Sequence, residues 1–188
     1  MSAESARLFV ALELPRPARE GLWRWAGEHL RGITGVRIVD PAALHVTLCF
    51  LGSRPVSEID RIAAECSVVA DQAAVALALG APLWLPHRRP RVVAVALEDP
   101  GGRLAALQSR LSDALQAAEV YEPERRPFLG HVTIGRIGRT GRDAKVRARE
   151  LVAPEPVRFS AGTVTLFRSR TGRAGARYEP LASVQLRR

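Results

Sequence analysis

Apolar positions along this 188-residue chain follow two rhythms. Short β-branched and aliphatic runs bounded by glycine or proline predict strands, whereas leucine and alanine at four-residue spacing predict helices. Leu8 to Leu12 is the first strand-sized run. Ala18, Leu22, Ala26 and Leu30 then recur one turn apart after Pro15 and Pro17, as in an amphipathic helix. Leu44 to Gly52 reads as a strand. Ser57-Glu-Ile-Asp60 has the form of a capping box, with aspartate in the acid position. It predicts a helix whose apolar side is Ile59, Ile62, Ala63, Cys66 and Val69. Val75 to Leu79, Leu83 to Leu85, Arg91 to Glu98, Gly130 to Gly138, Phe159 to Phe167 and Tyr178 to Leu186 are predicted strands. Leu104, Leu107, Leu111, Leu115 and Ala118 form a helical stripe, with Asp99-Pro100 as N-cap and first-turn proline. Gly138 to Glu150 predicts a short charged helix. There is no low-complexity stretch or long linker, and Pro82 to Pro90 is the segment expected to join two lobes.

These elements repeat. Arg7-Leu-Phe-Val-Ala-Leu-Glu13 is followed by a helix and then a strand containing His45-Val-Thr47. Arg91-Val-Val-Ala-Val-Ala-Leu-Glu98 is followed by a helix and then a strand containing His131-Val-Thr133. Each half thus runs strand, helix, motif strand. This predicts an internal duplication whose pseudo-twofold axis brings His45 and His131 together.

Alternation along a strand puts His45, Thr47 and Cys49 on one face and Val46, Leu48 and Phe50 on the other. In the second copy His131, Thr133 and Gly135 share a face, with Val132 and Ile134 opposite. The apolar face of each strand belongs to a core, so the imidazole and hydroxyl face a cleft. The chain has four histidines, and two of them occupy these matched positions. Histidine titrates near neutrality, so one protonated and one neutral imidazole can act as acid and base on a phosphodiester. Threonine hydroxyls can hydrogen-bond its oxygens. One His-Val-Thr would read as sheet sequence with a polar outer face; two copies in matched halves favour a site. The chain lacks His-Glu-x-x-His and any close cysteine pair, which argues against zinc. Cys49 reads as a neighbour of the site with no adjacent activator.

The chain is 47% apolar and 25% charged, ordinary for a globular domain. It carries a formal charge of +9, nearly all of it on arginine, Lys145 being the lone lysine. Such charge favours a polyanionic partner, although genomic base composition also enriches arginine. Arg88, Arg89 and Arg91 cluster around Pro90, and Arg125 and Arg126 precede the second motif. No apolar stretch reaches transmembrane length, and no secretory leader is evident. With two cysteines, a reduced cytoplasmic protein is the expectation.

The paired motifs resemble those of the 2H phosphoesterases, and among them the RNA 2′,3′-cyclic phosphodiesterases, also called 2′-5′ RNA ligases. The resemblance rests on Arg7-Leu-Phe-Val-Ala-Leu12, His45-Val-Thr-Leu-Cys-Phe-Leu-Gly52, Pro127-Phe-Leu-Gly-His-Val-Thr-Ile-Gly-Arg136 and Gly175-Ala-Arg-Tyr-Glu-Pro-Leu-Ala182, and it spans nearly the whole chain. It implies an α+β fold over residues 1–188: two lobes related by the pseudo-twofold, with two antiparallel sheets facing a central cleft and helices packed outside. It implies hydrolysis of an RNA 2′,3′-cyclic phosphate end to a 2′-phosphate, without metal or cofactor. His45 would be the general acid and His131 the general base. Thr47 and Thr133 would hold phosphate oxygens, and Arg136 would bind phosphate or stack on a base. Strict alternation puts Arg136 on the face opposite His131, so this role requires a bulge or a strand end.

Phe9 and Tyr178 are candidate stacking residues, with core packing favoured for Phe9. His29 is expected on a helix surface, His87 in a basic loop, and Trp23, Trp25 and Trp84 in packing. The implied partner is RNA with a cyclic phosphate end, tRNA fragments being one source, acted on by a monomer. Two other readings remain open: a phosphodiesterase acting on small cyclic nucleotides or 2′-5′ oligonucleotides, and a non-catalytic RNA-binding module.

Overall fold

The computed structural model describes residues 4–138, 151–172 and 175–188; the charged helix expected within 138–150 lies almost wholly outside them. The strands are β1 (Ser5–Glu13), β2 (Val36–Ile38), β3 (His45–Pro55), β4 (Val75–Leu85), β5 (Val92–Glu98), β6 (His131–Ile137), β7 (Arg158–Ala161), β8 (Thr163–Gly172) and β9 (Gly175–Gln185). The helices are α1 (Arg16–His29), α2 (Ile59–Cys66) and α3 (Arg103–Ala117).

The strands form one sheet in the order β7-β4-β5-β6-β3-β1-β8-β9, with β2 added alongside β6. Every strand pair is antiparallel. Read outward from the central β6–β3 seam, the order is symmetric: β5 matches β1, β4 matches β8, and β7 matches β9. Leu12 pairs with Val46 on one side of the seam, and Val95 pairs with Val132 on the other. The predicted duplication is therefore present, but the lobes are not the two sequential halves. The last two strands join the first lobe, because β8 pairs with β1.

Helix packing crosses the seam as well. α1 follows β1 and leads into β2, and it packs behind β6 and β7, where Gly21 lets it approach Val157 and Leu79. α3 connects β5 to β6 yet packs against β3, beside α2. The apolar stripes explain both dockings: Ala18, Leu22, Trp25 and Ala26 are buried on α1, and Leu104, Leu107, Leu111 and Leu115 on α3. Full burial of one such leucine contributes about 1.5–3 kcal/mol.

Several local expectations change. β4 is one strand, with a bulge between Leu79 and Pro82 that accommodates the proline. Residues 86–91 then close the β4–β5 hairpin and do not join the lobes, since both strands lie on the same side of the seam. Gly162 divides the predicted Phe159–Phe167 strand between opposite sides of the seam: β7 pairs with β4, and β8 with β1. Ser57 does not cap α2; a 3-10 turn at Val56–Glu58 leads into that helix without a side-chain cap. Asp99 is not the N-cap of α3 and Pro100 is not in its first turn, because Gly102 in the left-handed region takes the cap position. The Asp99 carboxylate reaches the helix start from upstream and accepts from the backbone N–H groups of Arg103, Leu104 and Ala105. Trp25 is buried and donates from Nε1 to the Val152 carbonyl at 2.9 Å, whereas Trp23 is 43% exposed and packs into no core. His29 is half-buried, stacked on Trp25. Among the described residues, no helix is long and apolar enough to cross a membrane.

Candidate active site

The two motifs meet at the seam. Val46 of β3 pairs antiparallel with Val132 of β6, and this is the sole register pair between these strands. Both valines are fully buried. Antiparallel register then sets His45 beside Thr133 and Thr47 beside His131 on the opposite face. Beyond the seam the strands part, and β2 takes the edge of β6 from Gly135 to Ile137. The parting opens the cleft.

Each motif strand then bulges one residue after its threonine. On β3, Ala11 faces Thr47 and Val10 faces Cys49, which leaves Leu48 extra. On β6, Ala94 faces Thr133 and Val93 faces Gly135, which leaves Ile134 extra. A one-residue bulge shifts the alternation. Cys49 and Gly135 therefore turn inward and are buried, contrary to strict alternation, whereas Phe50 and Arg136 turn out into the cleft. The bulge that Arg136 required is present. At Gly135 a Cβ would sit 3.2 Å from Val36 and 3.3 Å from Leu30, so glycine permits the close approach of β2 and α1.

Both imidazoles are anchored alike. His45 Nδ1–H donates to the Ala43 carbonyl at 2.8 Å, and His131 Nδ1–H donates to the Leu129 carbonyl at 2.8 Å. A carbonyl only accepts, so each bond fixes the tautomer and turns Nε2 toward the cleft. The Ala43 carbonyl is itself held in a 3-10 turn, Pro41–Ala43, whose Asp40 carboxylate accepts from the Ala42 N–H. His45 Nε2 lies 3.1 Å from Thr47 Oγ1 and accepts its hydroxyl proton when the ring is neutral.

The surroundings of the two rings differ. His45 is enclosed by aromatic rings, with Phe9 at 4.9 Å and tilted, and Tyr178 at 5.1 Å and edge-on. His45 is pushed down to about 4, chiefly by burial, with the nearby Arg136 and His131 also lowering it and the Ala43 hydrogen bond opposing them. In the empty cleft at neutral pH, His45 is uncharged. Phe9, 4% exposed, supports His45 and offers no free face for a base. The Tyr178 hydroxyl accepts from Arg136 at 3.3 Å.

Two cavities flank a ridge made by Thr47 and Phe50, which line both. The cavity beside His131, about 700 Å³, also takes in Arg91, Arg126, Tyr121 and Phe128. The cavity beside His45, about 450 Å³, takes in Arg7, Arg37, Arg136 and Tyr178. Of the predicted clusters, Arg91 and Arg126 thus reach the cleft, whereas His87 lies exposed in the 86–91 loop. Sequence reading missed Arg7 and Arg37 as cleft residues and put Phe50 on the wrong face. The missing signals were the bulges and the three-residue strand β2. Cys49 and Cys66 are buried free thiols, both pushed up to about 12 by burial, and neither is a thiolate nucleophile. Among the described residues, no three His, Cys, Asp or Glu side chains gather as a metal-binding group.

Known proteins share this architecture. An RNA 2′,3′-cyclic phosphodiesterase of Archaeoglobus fulgidus is 31% identical over 71% of this chain and 73% of its own. One from Escherichia coli is 28% identical over 95% of this chain and 96% of its own. The crystal structure of E. coli LigT complexed with 3′-AMP superposes with a TM-score of 0.81 at 27% identity, over 98% of this chain and all of that one. The family model of the 2′-5′ RNA ligase superfamily matches residues 19–173, a span that holds both His-Val-Thr motifs, both bulges and the seam between them. By that match and by a fold shared from end to end, this chain belongs to the 2′-5′ RNA ligase superfamily.

Proposed function

We propose that the protein hydrolyses RNA ends carrying a 2′,3′-cyclic phosphate, without metal or cofactor, and leaves a 2′-phosphate. The observation that carries this reading is the matched pair of imidazoles at the Val46–Val132 seam, each anchored through Nδ1 to the carbonyl two residues upstream. His131 lines the larger cavity and His45 the smaller, and Thr47, on the ridge between them, lines both. His131 takes a proton from water as the water oxygen bonds to phosphorus. His45 gives a proton to the 3′-oxygen as its bond to phosphorus breaks. Thr47 and Thr133 hold the non-bridging oxygens, and Arg136 balances their charge. His45 is neutral in the empty cleft, so its proton arrives with the substrate: a phosphodiester anion beside the ring favours the charged form. With an RNA 5′-hydroxyl in place of water as the attacking group, the same step forms a 2′-5′ linkage and frees the 3′-hydroxyl.

The direct test is incubation in excess EDTA with an RNA ending in a 2′,3′-cyclic phosphate, followed by identification of the product end. A 2′-phosphate is expected, with the rate reduced about 10²–10⁴-fold by His45→Ala or His131→Ala. A 3′-phosphate would overturn the assignment of the leaving oxygen. Tight binding without turnover would favour an RNA-binding module.

A further inference from the structure

The cavity beside His45 holds more positive charge than one cyclic phosphate requires. Arg7, Arg37 and Arg136 all line it, and among the described residues no carboxylate does. Among the described residues none of the three forms an ion pair, although Arg16, Arg54, Arg110, Arg168 and Arg170 all do. Arg37 and Arg136 are register partners on β2 and β6, so their side chains leave the sheet side by side on one face. Like charges placed directly opposite destabilise a strand pair. A three-residue strand that carries such a pair calls for an anion to neutralise it. Arg7 approaches from the other wall, its guanidinium 4.8 Å from the centre of the Phe50 ring, which sets its position. Arg136 is likewise set by its hydrogen bond to Tyr178.

We infer that Arg7 and Arg37, with Arg136, form a second phosphate subsite that binds the phosphate on the 5′ side of the terminal nucleotide. The inference rests on the proposed activity, because it takes the reacting phosphate to sit between His45 and His131. A ribose closed by a 2′,3′-cyclic phosphate has one other position for a neighbouring phosphate, its 5′-oxygen. In RNA this is the internucleotide diester; in a free nucleotide it is a 5′-monophosphate. Planar guanidinium groups suit either one through paired N–H···O bonds. The subsite makes the protein selective for chain ends over free cyclic nucleosides.

The test compares three substrates: a nucleoside 2′,3′-cyclic phosphate, the same compound with a 5′-phosphate, and an oligoribonucleotide with a cyclic end. Wild-type kcat/KM should rise at least tenfold from the first to the third. Arg37→Ala and Arg7→Ala should each cut kcat/KM on the oligonucleotide about tenfold more than on the nucleoside. Arg24→Ala, on the exposed side of α1, controls for net charge. Each cleft substitution should also reduce the salt dependence of kcat/KM on the oligonucleotide by about 0.7 in the log–log slope. A matching loss on the 5′-phosphorylated nucleotide shows that a monophosphate suffices; a loss confined to the oligonucleotide assigns the subsite to the internucleotide diester. Equal losses on all three substrates, or none on any, overturn the subsite. Failure of the wild type to turn over any of the three would instead overturn the proposed reaction.

Discussion

Val46 and Val132 pair across the antiparallel seam, and their side chains point into the core while the flanking histidines and threonines point into the cleft. Each valine is the middle residue of a His-Val-Thr motif. One buried pair thereby sets the register of two imidazoles and two hydroxyls contributed by chain segments more than eighty positions apart.

The seam should therefore couple stability to activity. Val132→Ala removes buried methyl groups and should cost about 1–3 kcal/mol. Combined with Val46→Ala, the losses should be non-additive by 0.5 kcal/mol or more, roughly, because the residues are in contact. Urea unfolding of the two single variants and the double variant measures this. Strict additivity would mean that the two strands are held apart by other packing.

Stability should fall in acid partly through His45. Its pKa in the folded chain, about 4, lies below the ordinary 6.5. Between those values the unfolded chain binds more protons, so stability rises with pH and is lost as pH falls from 6.5 toward 4. At pH 4.5 the loss is roughly 2–3 kcal/mol. His45→Gln does not titrate, so the wild type should lose that much more than the variant between pH 7 and pH 4.5. Parallel losses in urea unfolding would show that the ring is not held neutral.

The pH dependence of catalysis should separate free enzyme from complex. The profile of kcat/KM reports the free enzyme, and that of kcat the complex. If the substrate anion restores the proton on His45, the alkaline limb of kcat should lie at least about one pH unit above that of kcat/KM. Coincident limbs would remove His45 from the acid role or remove the influence of the phosphate.

Arg136 should act on both substrate and acid. Its charge lowers His45, after burial as the main cause, so Arg136→Gln should move the His45 titration upward in an imidazole NMR experiment. The same substitution should raise KM for a cyclic-end RNA about tenfold through loss of a charge-assisted hydrogen bond. An unshifted titration with an unchanged KM would put the guanidinium outside the site.

Much of this was legible in the sequence because it is local. The four-residue spacing of Ala18, Leu22 and Ala26 specifies a helix with one apolar side, and Asp99 signals the start of another. Two His-Val-Thr copies in apolar runs specify two strands with their valines in a core, which gives both the duplication and the pairing of chemical groups. Arg136 could be named, but its face could not. Alternation fails at Ile134 because the bulge there is set by the pairing of β6 with β5, and that pairing exists only once the sheet has formed. The same holds for Leu48 and Phe50 on β3. Arg37 was invisible for a related reason: three residues carry too little periodicity to mark a strand, and β2 exists because β3 leaves β6 an open edge. The chain by itself determined which residues carry the chemistry, since residue type and short-range spacing are covalent facts. Tertiary structure decided which of them share a cleft, because pairing between distant strands, a bulge in each motif strand and helices docked across the seam set every side chain's final direction.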